Sequence, residues 1–252
     1  MNRIEFIRKE EKKYHDYCYG NYKLFEEGSW LHKPVKTVID LIPLFEGKDD
    51  LSVLDLGSGV GRNSIPLAQA IKKSGGKVVC IDLLNSALQK LNQYSEEYEV
   101  KEVIQTEKAD IGNYDIKPNN FDFIVAVSSL EHVQSEKVFE KVVQRMADGT
   151  KYNGINCIIV NSEVKEIDMD TNKKLDALME INIPTEEMLN KLRKVYDGWE
   201  VLSIIVKPLE YKIMRNEQSV LLKTNAITYA VRKNNLQGAT IHSYQSKMNL
   251  YP

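Results

Sequence analysis

The sequence predicts an α/β fold, a seven-stranded, mainly parallel sheet with helices on both faces and one antiparallel strand. Two observations carry this reading. Apolar strand-like runs alternate with segments of helical period along most of the chain, which is the pattern that builds parallel sheets. One of those runs, Val53-Leu54-Asp55-Leu56, breaks into Gly57-Ser58-Gly59-Val60-Gly61 and then into a helical pattern. A buried strand here feeds a tight turn and a helix N-terminus. The glycines admit positive φ and let a ligand lie against bare main chain, while the helix start offers free N–H groups and a partial positive charge.

The elements follow in order. Residues 1 to 13 are highly charged and read as a mobile helical lead-in. Residues 14 to 32 hold four tyrosines (Tyr14, Tyr17, Tyr19, Tyr22), Trp30, His15 and His32. Aromatics with polar tips line surfaces that are partly dry and partly wet, so this stretch is either a packed extension or a lid. Pro34 opens a helix to about residue 45, with Val35, Val38, Ile39 and Ile42 at helical spacing. The strand of residues 53–56 and its glycine turn lead to a helix over 62–73, which Gly75-Gly76 ends. Lys77 to Asp82 is the second strand, followed by a helix over 85–96 capped by Asn85 or Ser86. A weak strand over 100–108 precedes Ala109-Asp110-Ile111, and Phe121–Val127 is a clear buried strand. Ser128-Ser129-Leu130-Glu131-His132-Val133 opens a helix to about 147, and Ile155–Asn161 is the fifth strand. Residues 162–183 lack a period and read as a long connection, a length that is often functional. Thr185 caps a helix ending near Gly198. Strands over 199–207 and 221–232 close the fold; with no helix between them, they should run antiparallel. The division expected is an N-terminal extension over 1–49, a catalytic-type domain over 50–233 and a polar, poorly ordered tail over 234–252.

A chain of 252 residues can bury a sizeable core. A formal net charge of −2 gives no global pull towards nucleic acid or anionic membrane. Cys18, Cys80 and Cys157 are scattered without metal-ligand spacing, and Cys80 and Cys157 read as reduced core residues. No metal site is expected. With no run of about 18 apolar residues and no secretory signal, the expected location is the cytoplasm.

Asp82 lies 21 residues beyond Gly61, at the end of the second apolar run, where an acid suits a ribose diol. A nicotinamide site usually reads G-x-G-x-x-G, because its pyrophosphate must touch the helix N-terminus. Here the spacing is G-x-G-x-G with Asp55 two residues ahead. S-adenosylmethionine has no pyrophosphate, and its ammonium group needs an acceptor close to the turn, a part that Asp55 and the turn carbonyls could play. This Asp-x-Gly-x-Gly-x-Gly pattern resembles the first motif of the Rossmann-like class I methyltransferases. The run Gly61-Arg62-Asn63-Ser64 and the stretch from Ile183-Pro184-Thr185 to Tyr196-Asp197-Gly198-Trp199 also resemble the tellurite-resistance (TehB-type) methyltransferases. That likeness covers roughly residues 50 to 233. The Ser-Leu-Glu-His-Val run departs from the tellurite pattern and is closer to general small-molecule methyltransferases.

The resemblance implies S-adenosylmethionine as cofactor and assigns roles by position. Gly57, Ser58, Gly59 and Gly61 cradle the methionine part, with Asp55 on its ammonium and Arg62 and Asn63 opening the helix. Asp82 takes the ribose hydroxyls and Leu83 packs on the adenine. Asp110 accepts its exocyclic amine, and the Ile111 N–H meets a ring nitrogen. Ser128 and Leu130 lie near the methyl donor through their carbonyls. A base is needed only when the nucleophile must lose a proton; His132 is the candidate, kept neutral by a helix N-terminus. Tyr14, His15, Tyr19, Trp30 and His32 are candidates to line the acceptor. The expected activity is methyl transfer to a small molecule, without nucleic-acid or membrane partners. The alternatives are an RNA or protein methyltransferase and a binding protein that holds the cofactor without turnover.

Overall fold

The computed structural model describes residues 1–215 and 218–234. The predicted tail therefore lies almost wholly outside the described residues. The sheet runs in the order β3-β2-β1-β4-β5-β8-β7, with β1 Ser52–Leu56, β2 Lys77–Asp82, β3 Ile104–Lys108, β4 Phe121–Val127, β5 Thr150–Asp168, β7 Glu200–Arg215 and β8 Gln218–Arg232. An eighth strand, the two-residue β6 (Lys174–Leu175), pairs with β5. The parallel part holds as expected, in the pairs β3–β2, β2–β1, β1–β4 and β4–β5. β8 runs antiparallel to both β5 and β7. β8 is thus the one antiparallel strand of the seven-stranded path, and the short β6 adds a further antiparallel pairing at β5.

The helices are α1 (Arg3–Asn21), α2 (Lys36–Leu41), α3 (Ser64–Ile71), α4 (Asn85–Glu97), α5 (Glu136–Gly149) and α6 (Thr185–Val195). Alternation along each strand divides the core. Val53 of β1 faces a layer with Ile65 and Leu67 of α3 and Leu91 of α4, joined by Tyr19 and Leu31 of the N-terminal arm. Leu54 and Leu56 face the opposite layer, with Phe139 and Val143 of α5 and Leu189 and Leu192 of α6. Asp55 falls on the α3 side with Val53, a consequence of the strand's two-residue period. The three cysteines are buried and free.

Several local expectations change. The N-terminal charged run and the first part of the aromatic run, to Asn21, are one continuous helix, α1, opened by a capping box in which Asn2 and Glu5 satisfy each other's N–H groups, while Trp30–His32 form a separate 3₁₀ turn. Pro34 stands just outside its helix, whose cap is Val35. α4 is capped at Leu84 by no side chain of its own, and α6 starts after Pro184 with Thr185 as its first residue. The segment after β4 forms a 3₁₀ turn, Leu130–His132, and α5 begins separately behind the Ser135 cap. Finally, the long connection over 162–183 is half strand, since β5 continues to Asp168. The supposed connection over 208–220 is strand on both sides of 216–217. β5, β8 and β7 therefore extend past the C-terminal ends of β1, β2 and β4 as a wing beside the crevice. Pro208 is tolerated within β7 because that strand is the sheet edge among the described residues.

Strand order reverses between β1 and β4, the neighbours from which the chain winds outwards in opposite directions. Ligands of open α/β sheets sit outside the carboxyl ends of the strands at such a switch point. The glycine turn leaves β1 there, and the Ser128–His132 segment leaves β4 beside it.

Candidate functional site

The two turns are locked back to back. Gly57 and Ser58 donate their N–H groups to the Ile81 carbonyl at 2.8 and 3.0 Å, and Ser129 Oγ donates to the Leu56 carbonyl at 2.7 Å. Gly57 has φ 79°, and a Cβ there would collide with the Ser129 side chain. Ser128 is held at φ 49°, strained backbone for a serine, while its N–H reaches the Ile159 carbonyl. Ser58 Oγ is buried and has no partner. Asp55 is almost fully buried, and Ser64 Oγ donates to its Oδ2 at 2.6 Å. Burial pushes the Asp55 carboxyl up to about 6 against the Ser64 hydrogen bond.

Asp82 ends β2 with both oxygens anchored, Oδ2 by the Gly59 N–H and Oδ1 by the Leu84 N–H, each at 2.8 Å. Burial raises its carboxyl, and those backbone donors oppose the shift. Leu83 beside it is 42% exposed, which is where an apolar floor for a flat ring is wanted. It helps line a cleft of about 490 Å³ walled on the other side by Arg8 and Lys12 of α1. Asp110 stands half-buried nearby, its Oδ1 turned to the Gly112 N–H in an Asx turn. These features fit S-adenosylmethionine: a bare glycine turn, an orphaned hydroxyl on it, an anchored acid for the diol and an exposed leucine beside a cleft.

α1 lies across this edge. Tyr19 Oη comes within 3.2 Å of the point a Cβ on Gly59 would occupy. Asp16 accepts from Ser86 Oγ at 2.6 Å, and Arg3 reaches the Ala177 carbonyl at 2.8 Å. Tyr14, His15, Tyr19 and Trp30 form one aromatic group with ring centroids 5.4 to 6.3 Å apart. His15 Nδ1 is buried there without a partner. Burial, reinforced by the charge on His132, pulls His15 down to about 4, so it is neutral at pH 7.

His132 is corrected in place and in charge. It closes a 3₁₀ turn and does not open a helix, so no helix dipole keeps it neutral. Its Nδ1 meets Glu180 Oε2 at 2.9 Å. Burial pulls its pKa down, but Glu180, Glu131 and Glu11 together outweigh that and push it up to about 9. His132 is therefore an imidazolium at pH 7, and the neutral imidazole of the site is His15.

The structure thus gathers Asp55, Gly57, Ser58, Gly59, Gly61, Asp82, Leu83, Asp110 and Ile111 along one side of the crevice. Ser128, Leu130, His132, Tyr14, His15, Tyr19 and Trp30 stand over or beside it. Three candidates are employed elsewhere. Asn63 Oδ1 accepts the Val35 N–H at 3.0 Å, and Arg62 donates to the Trp30 carbonyl with its guanidinium 5.1 Å over that indole. His32 faces Glu27 on the rim, outside the aromatic group. Arg8, Glu11, Glu131, Glu180 and Arg215 were not anticipated. Charges on a helix or in a strand read as solvated, and the turn that buries Glu131 has no sequence period.

Residues 53–154 match a family model described as a methyltransferase domain. No curated protein matches the chain. Among solved structures, TehB from Haemophilus influenzae is 22% identical with a TM-score of 0.59, over 87% of this chain and 67% of that one. An S-adenosylmethionine-dependent methyltransferase from Methanosarcina mazei is 14% identical with a TM-score of 0.57, over 80% and 99%. A phosphoethanolamine N-methyltransferase from Haemonchus contortus, solved with phosphomonomethylethanolamine and S-adenosylhomocysteine, is 14% identical with a TM-score of 0.61, over 93% and 61%. Likeness at these identities speaks for the fold, and the stretch that matches a methyltransferase domain carries both the glycine turn after β1 and the acid that ends β2, on a sheet of this order.

Proposed function

We propose that the enzyme methylates a small molecule held between the C-terminal edge of the sheet and α1. The observation that carries this reading is the position of α1, which reaches the glycine turn through Tyr19 and the post-β4 turn through Arg8, whose Nη2 lies 3.5 Å from the His132 carbonyl. A chamber roofed by the chain's own N-terminal arm suits an acceptor small enough to be enclosed; a polymer needs an open groove. The net charge of −2 supports the same choice, and so does the small acceptor bound by the Haemonchus contortus neighbour.

In this reading Gly57, Ser58, Gly59, Gly61 and Asp55 hold the methionine part of the cofactor. Asp82 holds the ribose, and Leu83, Asp110 and Ile111 hold the adenine. The carbonyls of Ser128 and Leu130 flank the methyl group. S-adenosylmethionine supplies a methyl on a sulfonium whose departure leaves a neutral thioether, so no acid is required. The chain contributes orientation and dryness. Where the acceptor must lose a proton, His15 takes it, because His132 already carries one. Purified enzyme incubated with S-adenosylmethionine and a panel of small amines, alcohols, thiols, carboxylates and oxyanions should release S-adenosylhomocysteine with at least one class. Turnover confined to RNA or protein substrates refutes the proposal.

A further inference from the structure

The space under α1 holds a set of charges that nearly cancel. Glu180 meets His132 at 2.9 Å and Arg8 at 3.8 Å; Asp110 meets Arg8 at 3.0 Å; Glu166 meets Arg215 at 3.2 Å. Glu11 stands in the field of His132, Arg215, Glu180 and Glu131, and burial raises its carboxyl. Its neighbour His15, 3.7 Å away, is neutral. Glu131 remains. It is fully buried, and its Oε1 takes two donors from Asn161, the backbone N–H at 3.1 Å and Nδ2 at 2.7 Å. Its Oε2 has no partner, and among the described residues no cation lies within ion-pair distance of it.

A buried carboxylate oxygen without a donor is costly, since desolvation is not returned by any bond. Natural structures leave such atoms where a ligand completes them. Glu131 directly follows Leu130, at the switch point beside the methyl donor. What is missing there is one positive charge and one N–H. A hydroxyl supplies the donor without the charge, whereas an ammonium supplies both.

We propose that Glu131 is the recognition point for a protonated amine on the acceptor, which makes the chain an amine N-methyltransferase. This rests on the small-molecule reading above and names the acceptor class within it. The ammonium docks on Glu131 Oε2 and yields one proton to His15 Nδ1, another buried atom without a partner and one that can accept. The freed nitrogen lone pair forms the N–C bond as the C–S bond breaks with its electrons onto sulfur. The products are a methylated ammonium and a neutral thioether.

Binding tests this without turnover. Enzyme saturated with S-adenosylhomocysteine is titrated calorimetrically with benzylamine, ethanolamine and histamine, and with benzyl alcohol, benzyl mercaptan and benzoate. At least one amine should bind ten-fold or more tighter than its uncharged or anionic counterparts. Glu131→Gln keeps the oxygen that Asn161 holds, so it should fold; it should erase that preference and leave S-adenosylhomocysteine affinity unchanged. An enzyme that binds S-adenosylhomocysteine but prefers an alcohol, thiol or carboxylate, or none of the amines, overturns this proposal alone. So does a Glu131→Gln enzyme with intact amine preference and selectively weakened S-adenosylmethionine, for then Glu131 balances the sulfonium. Failure to bind S-adenosylhomocysteine at all overturns the cofactor reading and this proposal with it.

Discussion

Arg8 of α1 meets Asp110, Nη2 to Oδ2 at 3.0 Å. On the assignment proposed above, this ties α1 to the residue that holds the adenine amine. The pair is largely shielded, with side-chain exposures of 26% and 16%, so it is worth more than a surface bridge and about 1 kcal/mol or somewhat above. Arg8→Gln should raise the open population of α1 about fivefold. Amide exchange over residues 3–21 should speed up accordingly, and S-adenosylhomocysteine should leave faster in stopped-flow displacement. Unchanged exchange in this helix would mean that Arg8 holds nothing shut.

Asp82→Ala should weaken S-adenosylhomocysteine. Hydrogen bonds to a charged group contribute roughly 1.5–3 kcal/mol, so the loss should be at least about tenfold by calorimetry. Asp82→Asn keeps one acceptor for the Gly59 or Leu84 N–H and should fall between. Wild-type affinity in a folded Asp82→Ala enzyme refutes the ribose assignment.

His132 should make the fold sensitive to alkali. Its folded pKa of about 9 lies above an unfolded value of about 6.5. The stabilisation it contributes is complete below pH 6.5 and is lost as pH rises through 9. Denaturant midpoints should fall between pH 7 and 9.5 in the wild type, and less in His132→Gln. Parallel curves for the two proteins would show that His132 is not held as the imidazolium.

Asp55 predicts a loss in the same direction, in a more acidic window. Its carboxyl is raised to about 6 by burial, from an unfolded value of about 3.8, so ionisation costs the fold stability as pH climbs through that window. Asp55→Asn should therefore be more stable than wild type at pH 7, by up to roughly 3 kcal/mol, and equal to it below pH 4. The same substitution should weaken S-adenosylmethionine more than S-adenosylhomocysteine only if Asp55 also feels the sulfonium. A variant less stable at pH 7 contradicts the pKa.

Gly57 and Gly59 should separate fold from closure. Alanine at 57 drives a Cβ into Ser129, which is fixed to Leu56, so the protein should lose roughly 2 kcal/mol or more. Alanine at 59 meets only the tip of Tyr19, 3.2 Å off, and both positions share positive φ. Gly59→Ala should melt closer to wild type yet expose α1 to limited proteolysis. Equal melting losses, with α1 still protected, would remove Tyr19 from the lid.

The sequence carried the half of the site built on regular elements. Leu54 and Leu56 alternate with Val53 and Asp55, Gly57 to Gly61 can only be a turn, and Asp82 ends an apolar run, so strand, turn and acid were each visible. Three things were hidden. Pro208 stands at the end of the strand expected over 199–207, and a proline's neighbours in sequence do not say whether its strand is an edge. The charge of His132 was misread because Glu180 and Glu11, which help its neighbour Glu131 to set it, lie 48 and 121 residues away in the chain. Glu131 was hidden likewise: a lone acid after a strand reads as solvated until Asn161 is seen to bury it.

α1 is one unbroken rod of 19 residues. It meets Asp110 through Arg8, Ser86 through Asp16 and the glycine turn through Tyr19. On the arrangement proposed above, those contacts put cofactor and acceptor beneath the same rod. Lifting the rod as a unit then frees spent cofactor and methylated product together, so solvent viscosity should slow the two exchanges in step.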